Sequence, residues 1–145
     1  MKSLFIILTV ISSLFANNSF ATDDINPAVI KSFHRTFKDA TEANWSVSED
    51  RYKVQFYLAA QQITAYYDKQ GTLLFVVRNI SSFQLPLLLQ AEIKNKYVNY
   101  WISNLYEESG VNGTDYYVTL ENSDTKVVLK SYSHAGWSVQ QKESK

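Results

Sequence analysis

The feature that most constrains this chain is that it repeats itself. Tyr52, Val54 and Phe56 recur later as Tyr116, Val118 and Leu120, and Val29, Phe33 and Phe37 recur at the same interval as Ile93, Tyr97 and Trp101. Tyr67 and Gly71 recur one position further on, as Tyr132 and Gly136. An interval shared by a helical stripe, a strand and a turn is the mark of an internal duplication. Whatever one half folds into, the other must fold into as well, and neither half is long enough to cover its own apolar surfaces.

The first half reads as a helix followed by four strands. Asn26 is a good N-cap, and Pro27 takes the first helical position, where its missing N–H costs nothing. Val29, Phe33, Phe37 and Ala40 then form one apolar stripe, predicting an amphipathic helix of about four turns. From Asn44 the period drops to two. Trp45 and Val47 alternate with serines, and after a turn at Glu49-Asp50, Tyr52, Val54, Phe56 and Leu58 alternate with Lys53, Gln55 and Tyr57. Residues 63–67 form a third strand, and Asp68-Lys-Gln-Gly71 a tight turn. Residues 72–78 form a fourth strand, apolar on both sides and expected to be covered on both. On the third strand, either Ile63, Ala65 and Tyr67 or Thr64 and Tyr66 could be the inner set, because one bulge inverts the parity.

The second half repeats the order more weakly: a helix from Leu87 to Val98, then strands over about 102–108, 115–121, 126–132 and 137–142. The hairpin Ser109–Gly113 is longer than its counterpart Ser48–Arg51. Two such units, about 26–80 and 84–142, imply an α+β fold. In it, two tandem helix/four-strand repeats form one antiparallel sheet of about eight strands, with the helices packed on one face and the other face open. Phe33, Phe37, Tyr52, Phe56, Tyr97 and Trp101 fit core positions by period.

The residues before this unit read as an address. Met1-Lys2 leads into an uncharged run from Ser3 to Thr22 with an apolar centre at Leu4–Phe15 and a small-x-small end at Ser19-Phe20-Ala21. That is the pattern of a secretory signal peptide, residues 1–21, cleaved after Ala21. The run is too short for a spanning helix. Cleavage removes one basic residue, leaving 13 basic against 14 acidic groups in a single domain over 22–145. The expected location is periplasmic or secreted, in soluble form. With no cysteine there is no disulfide, no thiol chemistry and no lipoprotein anchor. Balanced charge argues against a nucleic-acid binder.

Certain residues and motifs point to a relative. Phe33-His-Arg-Thr-Phe37-Lys-Asp-Ala40 followed by Asn44-Trp45, then Tyr52-Lys-Val54-Gln-Phe56 and Tyr66-Tyr67-Asp68-Lys-Gln-Gly71-Thr-Leu73, resemble the PepSY-like, β-lactamase-inhibitor-like exported proteins of Bacteroidetes. Tyr116-Tyr117-Val118 and Tyr132-Ser-His-Ala-Gly136 are a weaker second copy, with Ser133 where the pattern has aspartate. The resemblance covers the whole chain after the signal peptide. It implies a tandem helix/four-strand fold and a non-catalytic module that binds or restrains other envelope proteins, peptidases among them. The inhibitor's disulfide cysteines are missing, so inhibition of a β-lactamase does not carry over.

Catalytic signatures are lacking. His34 and His134 fall in different contexts, one on the first helix and one in a turn, and no metal-ligand spacing, nucleophile elbow or phosphate loop occurs. The acidic pairs at Asp23-Asp24, Glu49-Asp50 and Glu107-Glu108 read as helix-end, turn and strand-end groups. No cofactor and no enzymatic activity are expected. The tyrosines say more. Tyr57, Tyr66 and Tyr117 share a parity with Lys53, Gln55 and Thr119, opposite to the core positions. These six form a candidate protein-contact face, since tyrosine supplies large contact area at low entropy cost. Cross-strand aromatic pairing would account for the same pattern. The expected partner is an envelope or secreted protein, such as a peptidase or a sensor. The alternative is a small-ligand binder or pocket enzyme of the periplasm. The chain is expected to be a monomer or weak dimer, with the last strand, Trp137–Lys142, as the edge where copies could pair and Lys142 and Lys145 as its protection.

Protein recovered from the envelope should begin at Thr22. N-terminal sequencing checks this, and retention of residues 1–21 on the exported protein would overturn the cleavage assignment.

Overall fold

The computed structural model describes residues 24–145 apart from His134. Helix α1 (Pro27–Thr36) is followed by strands β1 (Thr41–Val47), β2 (Arg51–Leu58), β3 (Gln61–Asp68) and β4 (Leu73–Asn79). A short 3-10 turn at Ser82–Gln84 leads into α2 (Leu87–Lys96), then β5 (Trp101–Gly110), β6 (Gly113–Glu121), β7 (Thr125–Ser131) and β8 (Ser138–Ser144). The eight strands form one antiparallel sheet in sequence order. This is the α+β architecture of two helix/four-strand halves, joined where β4 pairs with β5.

Each half has its own core on the helix side of the sheet. In the first, Val29 and Phe33 of α1 pack with Trp45, Tyr52, Val54, Phe56, Ile63, Ala65 and Tyr67. In the second, Leu89 of α2 packs with Leu105, Tyr116, Val118, Leu120, Val127 and Leu129. Following the register through Ala65↔Val76, Val76↔Ser109 and Ser109↔Thr114 puts both sets on the same face. The open question on β3 is thereby answered: Ile63, Ala65 and Tyr67 point inward.

Each helix is tied by hydrogen bonds to the segment that follows the third strand of its half. Asn26 caps α1 by accepting from the Ala28 N–H at 2.9 Å, and its amide donates to the Lys69 carbonyl in the β3–β4 turn. That turn lies so close to the helix that a Cβ on Gly71 (φ +95°) would stand 2.9 Å from the Ala28 carbonyl oxygen. In the second half different chemistry does the same job. Glu92 accepts from the Trp137 backbone N–H, and the Trp137 indole donates to the Leu89 carbonyl at 3.0 Å.

The structure corrects four expectations. The helices and first strands repeat at a shorter interval than the later strands: Val29 matches Leu89, Phe33 matches Ile93, and Trp45 matches Leu105. Only from β2 and β6 onward does the interval that pairs Tyr52 with Tyr116 hold, because the β5–β6 hairpin is longer than the β1–β2 hairpin: Trp45 pairs with Val54, but Leu105 with Val118. Trp101 therefore opens β5 and is 53% exposed; it is not a core residue. Both helices are ten residues long, shorter than expected, since Phe37 and Tyr97 already act as C-caps. The fourth strand is also not covered twice, because no described element lies over the face carrying Phe75 and Val77.

One equivalence exposes a cost. Tyr67 and Ser131, not Tyr132 as the repeat interval suggested, hold matching places in the two halves; both are fully buried, and neither hydroxyl has a hydrogen-bond partner among the described residues. Burial pushes the Tyr67 phenol up to about 12. A buried hydroxyl without a partner costs on the order of 1–3 kcal/mol. Tyr67→Phe keeps the ring and removes that cost, so its midpoint of thermal unfolding should match or exceed that of the parent by a few degrees. A clear fall in calorimetry would show that the hydroxyl is satisfied in solution.

The Glu92 carboxyl is held below the usual carboxylate range, first by the Lys96 ammonium at 2.8 Å and then by the Trp137 N–H, against the opposing effect of burial. Its charge therefore stabilises the fold above the unfolded-state value of about 4.3, and that contribution is lost as pH falls through the depressed folded value. Glu92→Gln should lower stability at pH 7 by about 1 kcal/mol or less, and the difference should vanish near pH 2 in urea titrations. A difference that persists in acid would contradict the linkage.

Candidate functional site

The candidate site is the face of the sheet turned away from both helices. Antiparallel pairing sets its layout, because alternate residues of every strand reach it. Lys53 stands opposite Tyr66, Gln55 opposite Thr64, and Tyr57 opposite Gln62. Tyr66 is opposite Phe75, Val77 opposite Glu108, Tyr106 opposite Tyr117, and Tyr117 opposite Lys130. Thr119 lies between Asn104 and Val128. All six residues singled out from the sequence thus lie on one face, with Lys53, Gln55, Tyr57 and Tyr66 on β2–β3 and Tyr117 and Thr119 on β6.

Between these two groups lies an aromatic band that parity had not revealed. Tyr66 stacks on Phe75 with ring centroids 4.5 Å apart, and Tyr106 stacks on Tyr117 at 4.8 Å with planes 9° from parallel. Such pairs add about 0.5–1.5 kcal/mol beyond the area they bury. Desolvation among neighbouring rings raises the phenol pKa of Tyr66 and of Tyr106. Glu108 lies within the band, opposite Val77 on β4 and Asp115 on β6, and no cation pairs with it among the described residues.

Lys130 closes one side of the band. Its ammonium lies 4.7 Å from the Tyr117 ring centroid and 4.2 Å from that of Tyr132, and it pairs with Asp115 at 3.0 Å. Burial works against its charge, but the Tyr117 hydroxyl and the Asp115 carboxylate outweigh it and hold the pKa above the ordinary lysine value. The duplication explains the placement. Lys53 and Tyr66 of the first half match Tyr117 and Lys130 of the second, so the same cross-strand lysine–tyrosine pair occurs in both halves with its partners exchanged. Applied to the face as well as to the core, the repeat interval is the sequence signal that would have pointed to Lys130. Phe75 and Val77 gave no signal, because their strand is apolar on both sides.

The face offers rings, a few charges and backbone already paired in the sheet. Among the described residues it carries no histidine and no nucleophile next to a base. His34 lies on the exposed side of α1, its ring edge-to-face with Phe33 at 5.4 Å, and His134 lies outside the described residues. Among the described residues no cluster of three or more His, Asp or Glu could hold a metal ion, and no helix is long and apolar enough to cross a membrane.

Solved structures share this architecture. A BLIP-like protein from Bacteroides fragilis superposes with a TM-score of 0.69 over 83% of this chain and 86% of its own, at 18% identity. The chain has a BLIP-like fold. A DUF2874 family protein from Bacteroides ovatus matches with a TM-score of 0.70 over 83% and 87% of the two chains at 13% identity. A candidate periplasmic protein from Bacteroides eggerthii matches at 0.71 over 83% and 88%, at 8% identity. No family model matches the sequence, and no curated protein matches it. At these identities the likeness concerns the BLIP-like fold alone.

Proposed function

We propose that the protein is an exported, non-catalytic binding module whose open sheet face engages another envelope or secreted protein. The observation that carries this reading is the aromatic band. Four rings of β3–β6 stack in two pairs on a face that no described element covers. A sheet needs one buried face for stability, and this one already has it on the helix side. Rings on the second face therefore exceed what the core requires, and large rigid rings among polar neighbours are the composition of protein-recognition surfaces. The contact residues are Lys53, Gln55, Tyr57, Tyr66, Tyr117 and Thr119, joined by Phe75, Tyr106 and Lys130. The BLIP-like frame and the likeness to a candidate periplasmic protein support an envelope setting.

The test uses quantitative affinity capture from the native envelope with the parent protein and with a Tyr57→Ala, Tyr66→Ala, Tyr117→Ala triple variant. A specific partner should be retained by the parent and lost at least tenfold by the variant, whose unfolding midpoint should fall by about 10 °C as both ring stacks are lost while the transition stays cooperative. Equal retention by both would sink the assignment of the face.

A further inference from the structure

On the opposite side of the molecule the two halves differ in a way the fold does not demand. In the first half, Phe33 packs against Phe37, Trp45 and Phe56 with centroid distances of 5.7, 5.3 and 5.1 Å, a ring cluster that fills the space beneath α1. The equivalent residues of the second half are Ile93, Tyr97, Leu105 and Leu120, so three of the four rings are replaced by aliphatic side chains. Ile93 is only partly buried where Phe33 is fully so. Beside this cluster, at its Ile93 and Tyr97 end, lies a groove of about 520 Å³ between the 3-10 turn, α2 and the start of β5, with Leu85 and Gln90 also among its lining. Its volume is that of a small-molecule site.

The rim differs as well. Val98 and Ile102 line the groove, while the matching residues of the first half are the exposed Lys38 and Glu42. Phe83, also on the rim, is 88% exposed, and Val98 is 75% exposed. The same scaffold thus carries charge at these places in one half and bare apolar side chains in the other, so folding alone does not require apolar residues there. Tyr100 forms a fixed wall, its hydroxyl tied to Thr125 Oγ1 at 2.9 Å. The charged group lining the groove is Lys94, and no ion pair engages it among the described residues. The neighbouring Glu92 is already committed to Lys96 and the Trp137 N–H.

We infer that this groove binds a free single-chain amphiphile, an acyl chain with an anionic head such as a long-chain carboxylate. The chain would lie against Leu85, Ile93, Tyr97 and Ile102, and the head would pair with Lys94. Charge complementarity selects this occupant: a groove whose apolar wall of Leu85, Ile93, Val98 and Ile102 meets one unpaired cation, Lys94, with Ser82 and Gln90 as neutral polar lining and no lining carboxylate among the described residues, fits a tail that ends in an anion. The inference is independent of the sheet-face proposal, since the groove lies on the helix side.

The experiment titrates the purified protein into dansyl-undecanoate, follows the fluorescence, and then displaces the probe with palmitate. Saturable one-to-one binding is expected. Ile93→Phe, which restores the ring used by the first half, and Ile102→Glu, which restores its rim charge, should each weaken binding at least tenfold while leaving thermal unfolding near that of the parent. Lys94→Met should weaken palmitate several-fold but leave hexadecanol unaffected. The Tyr57, Tyr66, Tyr117 triple variant should bind the probe like the parent. The proposal is overturned by absence of saturable binding, or by full binding in a folded Ile93→Phe protein. It is equally overturned by association with anionic phospholipid vesicles but not with the free acid, or by a dimer that Ile102→Glu converts to monomer.

Discussion

The structure depends on the ladder between β4 and β5. The two hydrophobic cores are separate clusters, one under each helix, and what makes them a single sheet is the backbone pairing from Phe75↔Gly110 to Asn79↔Tyr106. On the helix side this seam is polar, with Arg78 Nε 2.5 Å from Glu107 Oε1 and a second guanidinium nitrogen on Gln61. On the open side it carries Phe75, Val77 and Tyr106. The continuous sheet gives both halves paired edges at the join and leaves β1 and β8 as its outer strands. The aromatic band is a product of that join, because its rings come from β3 and β4 of one half and β5 and β6 of the other.

Duplication supplies an internal control. Where both halves keep a feature, the fold requires it. Fully buried Val29 and Leu89 are one such pair, and Trp45 and Leu105 are another, despite the change from ring to aliphatic chain. Where the halves diverge, compensation is visible. At the position of Tyr67 the second half has Ser131, and Trp137, which has no ring counterpart in the first half, folds back to pack on the second core and bond to α2. Where divergence brings no compensation, as at Ile93, Val98 and Ile102, a groove with an apolar wall remains. The two faces of the sheet thus carry different kinds of surface, a flat aromatic band on one side and a groove beside the second helix on the other.

Much of the fold was legible because period and face are local properties. The alternation of Tyr52, Val54 and Phe56 required a half-buried strand, and Asn26-Pro27 set the start of α1. The duplication made an eight-stranded sheet with two helices the natural solution. The parity that grouped Tyr57 and Tyr66 with Lys53 holds through the register. The errors came from places where local pattern is silent. An insertion in one hairpin shifted the helix alignment and made Trp101 look like a core residue. The apolar strand β4 offered no contrast between its two sides, so Phe75 and Val77 stayed hidden.

The sequence by itself determined the order and type of the secondary-structure elements, the duplicated α+β plan and the side to which most strand residues point, because these follow from spacing along the chain. Only the tertiary structure decided which residues of different strands meet. The stacking of Tyr66 on Phe75 and of Tyr106 on Tyr117, the lodging of Lys130 between two rings, and the opening beside α2 all depend on strand register and on side-chain volumes summed across elements. Those quantities arise only when distant segments pack against one another, so no pattern along one segment can contain them.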